Sequence, residues 1–229
     1  MKRHFDDELK QLKDKLFRMG LQVEEAVAKA SQALFERDSK KAETVIKGDQ
    51  EINLCEIEID EMGHELIALF QPMAVDLRFI TMVLKINNDL ERMGDQAVNI
   101  AEKAIEINQE PSAKPNFLEL PKISEIARGM VREALEAFMQ RDAVKAKQIL
   151  EKDDTIDELN DKVYHDVQKL IREKPDMTNQ GVALIMVSHN LERVADLATN
   201  IAEDVIYLSR GIDVRHHIRE RREEKPELR

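Results

Sequence analysis

The sequence predicts an all-α protein: two tandem three-helix bundles related by a pseudo-twofold. Three observations carry that expectation. Aromatic residues are 4% of the 229-residue chain and charged residues 35%, with only 7 Gly and 6 Pro, a mixture that suits long helices with charged outer faces. Apolar residues recur three and four apart, the helical period, and no segment alternates as a strand would. Finally, one phrase is written twice, DLERMGDQAVNIAE at 89–102 and NLERVADLATNIAE at 190–203. Glu91 and Glu192 stand 101 residues apart, and every matched position keeps that spacing. An earlier pair of blocks, ALFERDSKKAETVIKGD at 33–49 and AFMQRDAVKAKQILEKD at 137–153, is spaced 104 apart. The chain therefore reads as two copies of one unit of about a hundred residues. The three surplus residues of the first copy fall near LFQPMAVDLRF (69–79).

Each copy reads as three helices. The first helix is expected from about Asp6 to Phe35. Asp38 then caps the second, because a short acidic side chain accepts hydrogen bonds from the free N–H groups of a helix start. Along this second helix Ile52, Cys55, Ile59, Met62, Leu66 and Leu69 form an apolar seam, which places Cys55 in the core. Pro72 ends the pattern, and a third helix is expected from about Ala74 to Asn108. The proline-bearing stretch Glu110–Pro115 separates the halves. A fourth helix follows at about Lys122–Gln140. A fifth, at about Ala143–Arg172, carries Ile156, Leu159, Val163, Val167 and Leu170. Pro175 breaks the chain before a sixth helix at about Asn179–Ser209. The expected organisation is a first repeat at 1–110, a linker at 111–121, a second repeat at 122–210 and a charged, disordered tail at 211–229.

Charge narrows the function. The formal net charge is −11, which disfavours nucleic acid and anionic membrane surfaces as partners. No run approaches the roughly 20 apolar residues that a membrane span needs. The single cysteine, Cys55, permits no intrachain disulfide. The first ten residues, MKRHFDDELK, carry no apolar stretch of signal-peptide type, so a cytoplasmic location is expected.

The duplicated phrase keeps polar residues, which a core alone would not require. Positions three and four apart share a helical face. Glu91, Asp95, Asn99 and Glu102 therefore form one oxygen-rich line, and Glu192, Asp196, Asn200 and Glu203 its twin. Leu90, Gly94, Ala97 and Ala101 lie beside the first, small enough to let a neighbouring helix approach. Like charges four apart weaken a helix by about 0.2–0.5 kcal/mol per pair, and a bound cation would relieve that. The second helix offers a facing wall in Asp49, Asn53, Glu56 and Asp60; the fifth offers Asp153, Asp157 and Asp161. All-oxygen sites suit hard cations such as Mg, Mn, Ca or iron. Acidic helical faces are usually solvated and bind nothing; the duplication of these acids is what favours a site. Arg92 and Arg193 have a plain reading as partners of helix neighbours. Asp76 and Arg78, at the start of the third helix, have no counterpart in the second half. They read either as a helix-start acid with a local partner, or as an exposed end available to another protein.

Other chemistries lack their motifs. There is no GxxxxGK[ST] loop. One Glu-x-x-His is present, Glu61 to His64, where a di-iron bundle needs two with further glutamates. His189 precedes the second motif and is within reach of it.

QPMAVDLRFI (71–80), NNDLERMGDQAVNIAE (87–102) and SHNLERVADLATNIAE (188–203), in tandem and in this order, resemble the PhoU family of phosphate-transport and phosphate-signalling regulators. The resemblance covers about residues 5–209. It implies the six-helix fold, a cytoplasmic and commonly dimeric protein, and no catalytic turnover. It also implies an adaptor between the ATPase of a Pst-type phosphate ABC transporter and a PhoR-type sensor histidine kinase, holding down uptake and the starvation response when phosphate is plentiful. Some members bind multinuclear iron or zinc through paired (Glu/Asp)-x-x-x-Asp motifs. These map here onto Glu91–Asp95 and Glu192–Asp196, with Asp153–Asp157 as the facing pair. The first half departs, since its facing pair reads Asp49 and Asn53, so the second-half site is expected to be the stronger. The rival reading is an iron-binding or iron-storing helical bundle, and a third is a structural spacer.

Overall fold

A computed structural model describes residues 2–109, 117 and 119–210, and among them the chain is helical throughout, with no strand. The six long helices are α1 (Lys2–Phe35), α2 (Ser39–Phe70), α3 (Val75–Gln109), α4 (Leu120–Gln140), α5 (Ala143–Glu173) and α6 (Thr178–Arg210), with one 3₁₀ turn at Pro175–Met177. The expected linker at 111–121 lies mostly, and the expected tail at 211–229 wholly, outside the described residues.

The repeated Arg-Asp dipeptide makes the same corner in both halves. Arg37 and Arg141 adopt left-handed backbone angles, with φ of 58° and 54°. Each ends a helix through a pair of closing bonds: Asp38 N–H donates to Ala33 and Arg37 N–H to Leu34, as Asp142 N–H does to Ala137 and Arg141 N–H to Phe138. This is the Schellman pattern of a helix end. The aspartate then starts the next helix. Asp38 accepts from Lys41 N–H at 3.0 Å, and Asp142 accepts from Val144 and Lys145 N–H at 2.9 and 3.1 Å. One dipeptide therefore stops one helix and caps the next, which is why the connections are so short.

Within each half the three helices pack on one another, and the halves meet through α1 against α4 and α3 against α6. A single continuous core results, running from Leu12 and Leu16 on α1 to Val205 on α6. Two polar contacts fix the halves in register. The buried Glu24 of α1 takes Arg132 of α4 through both carboxylate oxygens, at 2.9 and 2.8 Å. Lys85 of α3 donates to the buried Asp204 of α6 at 2.6 Å. Close approach of α2 to α3 depends on Gly94, where a Cβ would stand 3.3 Å from Ile52 and 3.5 Å from Asp49 Oδ1.

Two expectations need correction. Leu69 does not join the α2 seam; it is 75% exposed, while its neighbours Leu66 and Phe70 pack inward. Cys55 is only half-buried, packed against the core edge, where burial pushes its thiol above the usual range.

Candidate functional site

Each half brings two helices together along an acidic seam. In the first half, α3 contributes Glu91 and Asp95, and α2 contributes Asp49 and Glu56. Burial first, then the charges of Asp95, Glu56 and Asp49, hold the Glu91 carboxyl above the usual range. Asp95 is raised by burial and by Asp49, and Glu56 by burial and by Asp60. Glu91 is thus within electrostatic reach of the other three, and Asp95 of Asp49. Asn53, at the place of Asp157, donates to Asp49 Oδ2 at 2.9 Å. That amide satisfies one oxygen of Asp49; the other, Oδ1, is buried without a hydrogen-bond partner, as is Asn53 Oδ1.

The second half is more heavily loaded. Asp153 of α5 is pushed up to about 6, by burial and then by Asp196, Asp157, Asp154 and Glu192. Its Oδ1 is likewise buried and unpartnered. Asp157 is raised by burial and then chiefly by Glu192, and Asp196 by burial, Glu192 and Asp157. Glu192 is held by a relay of neutral donors. Ser188 donates to Asn160 at 2.5 Å, and Asn160 donates to Glu192 Oε2 at 2.6 Å. His189 Nδ1 lies 3.3 Å from the same oxygen. Such outer contacts fix a ligating carboxylate before anything binds.

Asn160 and Ser188 escaped the sequence reading. The first half has a counterpart of Ser188 only: Asn87 donates to Asp60 Oδ1 at 3.1 Å and to the Glu56 carbonyl at 2.9 Å. The signal was available: Asn87 and Ser188 occupy matching positions one turn before the acids. Asp154 was missed too. Asn99 is exposed and Asn200 half-buried, one turn beyond Asp95 and Asp196. Glu61 and His64 are both exposed on α2. Arg92 sits 3.9 Å from the buried Asp89, so it pairs with a helix neighbour, as its plain reading held. Asp76 and Arg78 are exposed at the first turn of α3, and Arg78 makes no ion pair among the described residues.

The donors fit a hard cation by chemistry: carboxylates on two helices, buried orphan oxygens at Asp49 and Asp153, and mutual repulsion that a cation would cancel. Among the described residues, however, no three His, Cys, Asp or Glu side chains converge on one ion-sized point.

Fold and seams together define a class: a duplicated six-helix protein that repeats one acidic interhelical seam in each half. The family model for the PhoU domain matches residues 16–104 and 120–205. The chain belongs to the PhoU family. It is 43% identical, over 94% of its length and 98% of the relative's, to the phosphate-specific transport system accessory protein PhoU homolog of Aquifex aeolicus (strain VF5). The homolog of Pseudomonas putida is 39% identical over 93% of this chain and 83% of its own. The crystal structure of PhoU from Pseudomonas aeruginosa superposes with a TM-score of 0.87 at 36% identity, covering 91% of this chain and 100% of that one. The phosphate transport system regulatory protein PhoU from Streptococcus pneumoniae gives 0.84 at 31%, covering 92% and 99%. No helix among the described residues is long and apolar enough to cross a membrane.

Proposed function

We propose that this chain is a non-catalytic, metal-binding adaptor of the cytoplasm. It holds down phosphate uptake and phosphate-starvation signalling by contacting the ATPase of a Pst-type phosphate ABC transporter and a PhoR-type sensor kinase. The observation that carries this reading is near-full-length similarity to proteins named as accessory to phosphate-specific transport. A rigid bundle that docks differently on two states of a partner biases their equilibrium without any chemistry of its own.

Deleting the gene tests the reading directly. In phosphate-rich medium the deletion strain should show derepressed alkaline phosphatase and phosphate over-accumulation; normal repression and normal phosphate content would sink the adaptor role.

The seams supply the metal part of the proposal. Asp153, Asp157, Glu192 and Asp196 would hold an ion of iron, zinc, Mn or Mg, single or multinuclear, with Asn200 at the margin. Asp49, Glu56, Glu91, Asp95 and Asn99 would form the weaker counterpart. A bound cation supplies charge neutralisation between two helices. Asn160 and Ser188 orient Glu192 for it. The double variant Glu192→Ala/Asp196→Ala should lose at least half of the metal recovered with the purified protein, read by elemental analysis. Unchanged metal content would reduce the second seam to a solvated surface.

A further inference from the structure

The joint between the two halves pairs unlike residues at matched positions. Glu24 of α1 and Arg128 of α4 are the same place in the two copies, each thirteen residues before its Arg-Asp corner on an unbroken helix. They meet across the joint, with the Arg128 guanidinium 4.0 Å from a Glu24 carboxylate oxygen. Arg132 adds two shorter contacts, at 2.9 and 2.8 Å, and its counterpart in the first half is Ala28. The Glu24 side chain is 9% exposed, so its charge depends on these two guanidinium groups.

The α3–α6 side of the joint follows the same rule. Lys85 of α3 holds Asp204 of α6, whose side chain is buried. At the repeat spacing of 101, the counterpart of Lys85 is Met186 and that of Asp204 is Lys103. Size is matched in the same unlike way. Gly20 of α1 lies against Leu135 of α4, where a Cβ would stand 2.2 Å from Leu135 Cδ1. At the spacing of 104, Ser124 is the counterpart of Gly20 and Ser31 that of Leu135.

Apolar packing by itself gives the joint little direction, because much of the buried pattern of α1 and α4 is shared. Val27 matches Val131, Ala30 matches Ala134 and Ala33 matches Ala137, all fully buried. Two first halves placed in the same geometry would set Glu24 against Glu24 and Lys85 against Lys103. Two second halves would set Arg128 and Arg132 against their own copies, leave Asp204 facing Met186 and press Ser124 on Leu135. Each arrangement buries like charges together or a charge without its partner, which is strongly destabilising. A surface gains specificity from what it rejects as well as from what it accepts.

We propose that this joint is a recognition surface specific for the opposite half. Charge and size together admit a first half against a second half and reject like against like, so every assembled body holds one α2–α3 seam and one α5–α6 seam. The test uses full-length chains. Glu24→Arg alone, and Arg128→Glu/Arg132→Glu alone, should each melt about 10 °C or more below the wild type, or fail to fold. The chain carrying all three changes, with the charges exchanged across the joint, should regain most of that loss. The deciding arm refolds the two defective chains together in equal amounts. The first half of Glu24→Arg then fits the second half of Arg128→Glu/Arg132→Glu, and the two unaltered halves fit each other. A pair of chains with exchanged halves should form and melt close to the wild type. A co-refolded mixture that melts as its two components do separately overturns the proposal, because the contacts then stabilise without selecting a partner. So do variants that alone melt within about 2 °C of the wild type, and an exchanged-charge chain that stays as unstable as its parents.

Discussion

Replacing Phe138 with alanine should lower folding stability by about 3–5 kcal/mol, the usual cost of emptying a large buried aromatic site. Phe138 is 1% exposed and is the largest fully buried side chain among the described residues. It also belongs to both halves at once, since it rises from α4 and stacks on Phe79 of α3. Its removal therefore leaves a cavity at the joint between the bundles, where relaxation of one bundle is resisted by the other. In a protein of this size each kcal/mol lowers the melting temperature by about 2–4 °C, so a loss of roughly 10 °C is expected by calorimetry or circular dichroism. Phe138→Leu should recover most of it. A drop below about 1 kcal/mol for Phe138→Ala would mean that the α3–α4 joint is not part of the cooperative core.

Helix order, helix ends and the paired acids were legible because they are local. A helical period names which residues share a face, and the Arg-Asp corners carry their own stop and start signals. What the period cannot name is the neighbour across that face. Asp89 shows this: it lies in the duplicated phrase, yet it is buried beside Lys85 and Asp204 at the junction of the halves, and no spacing within α3 could reveal α6. Arg141 shows it again. Sequence equates Arg141 with Arg37, but the Arg37 guanidinium caps the end of α3 while the Arg141 guanidinium covers Phe79, a partner on another helix. Leu69 fits the α2 seam by spacing and is nevertheless exposed. Long-range partners, rather than local conformation, are where the sequence runs out.

The second seam makes the strongest statement about pH, and it has opposite signs with and without a cation. Asp153 titrates at about 6 in the fold against 3.8 in a free chain, with burial the chief cause. The folded state therefore holds this proton more tightly than the unfolded state. Above about pH 6 the ionised carboxylate costs stability; as pH falls through 6 towards 4 that cost is relieved. The full shift corresponds to about 3 kcal/mol, and solvent screening at a half-exposed carboxylate reduces it to roughly 1. Metal-free protein should accordingly melt about 2–4 °C higher at pH 4.5 than at pH 7.5 from this group. Asp89, also raised to about 6 by burial, adds to the same slope. Asp153→Asn should flatten part of the slope and leave the Asp89 share. A cation inverts the behaviour, because protons compete with it for the same oxygens. At a metal concentration a hundred times its dissociation constant, binding adds about 2.7 kcal/mol at neutral pH. That gain should fade as the solution is acidified towards pH 5, and Asp153→Asn should lack most of it. Melting curves from pH 4.5 to 7.5, with chelator and with added Mn or Fe, separate the cases. Parallel curves would mean that the seam binds no ion, and a metal-free protein that loses stability from pH 7.5 to 5 would mean that other carboxylates govern its acid response.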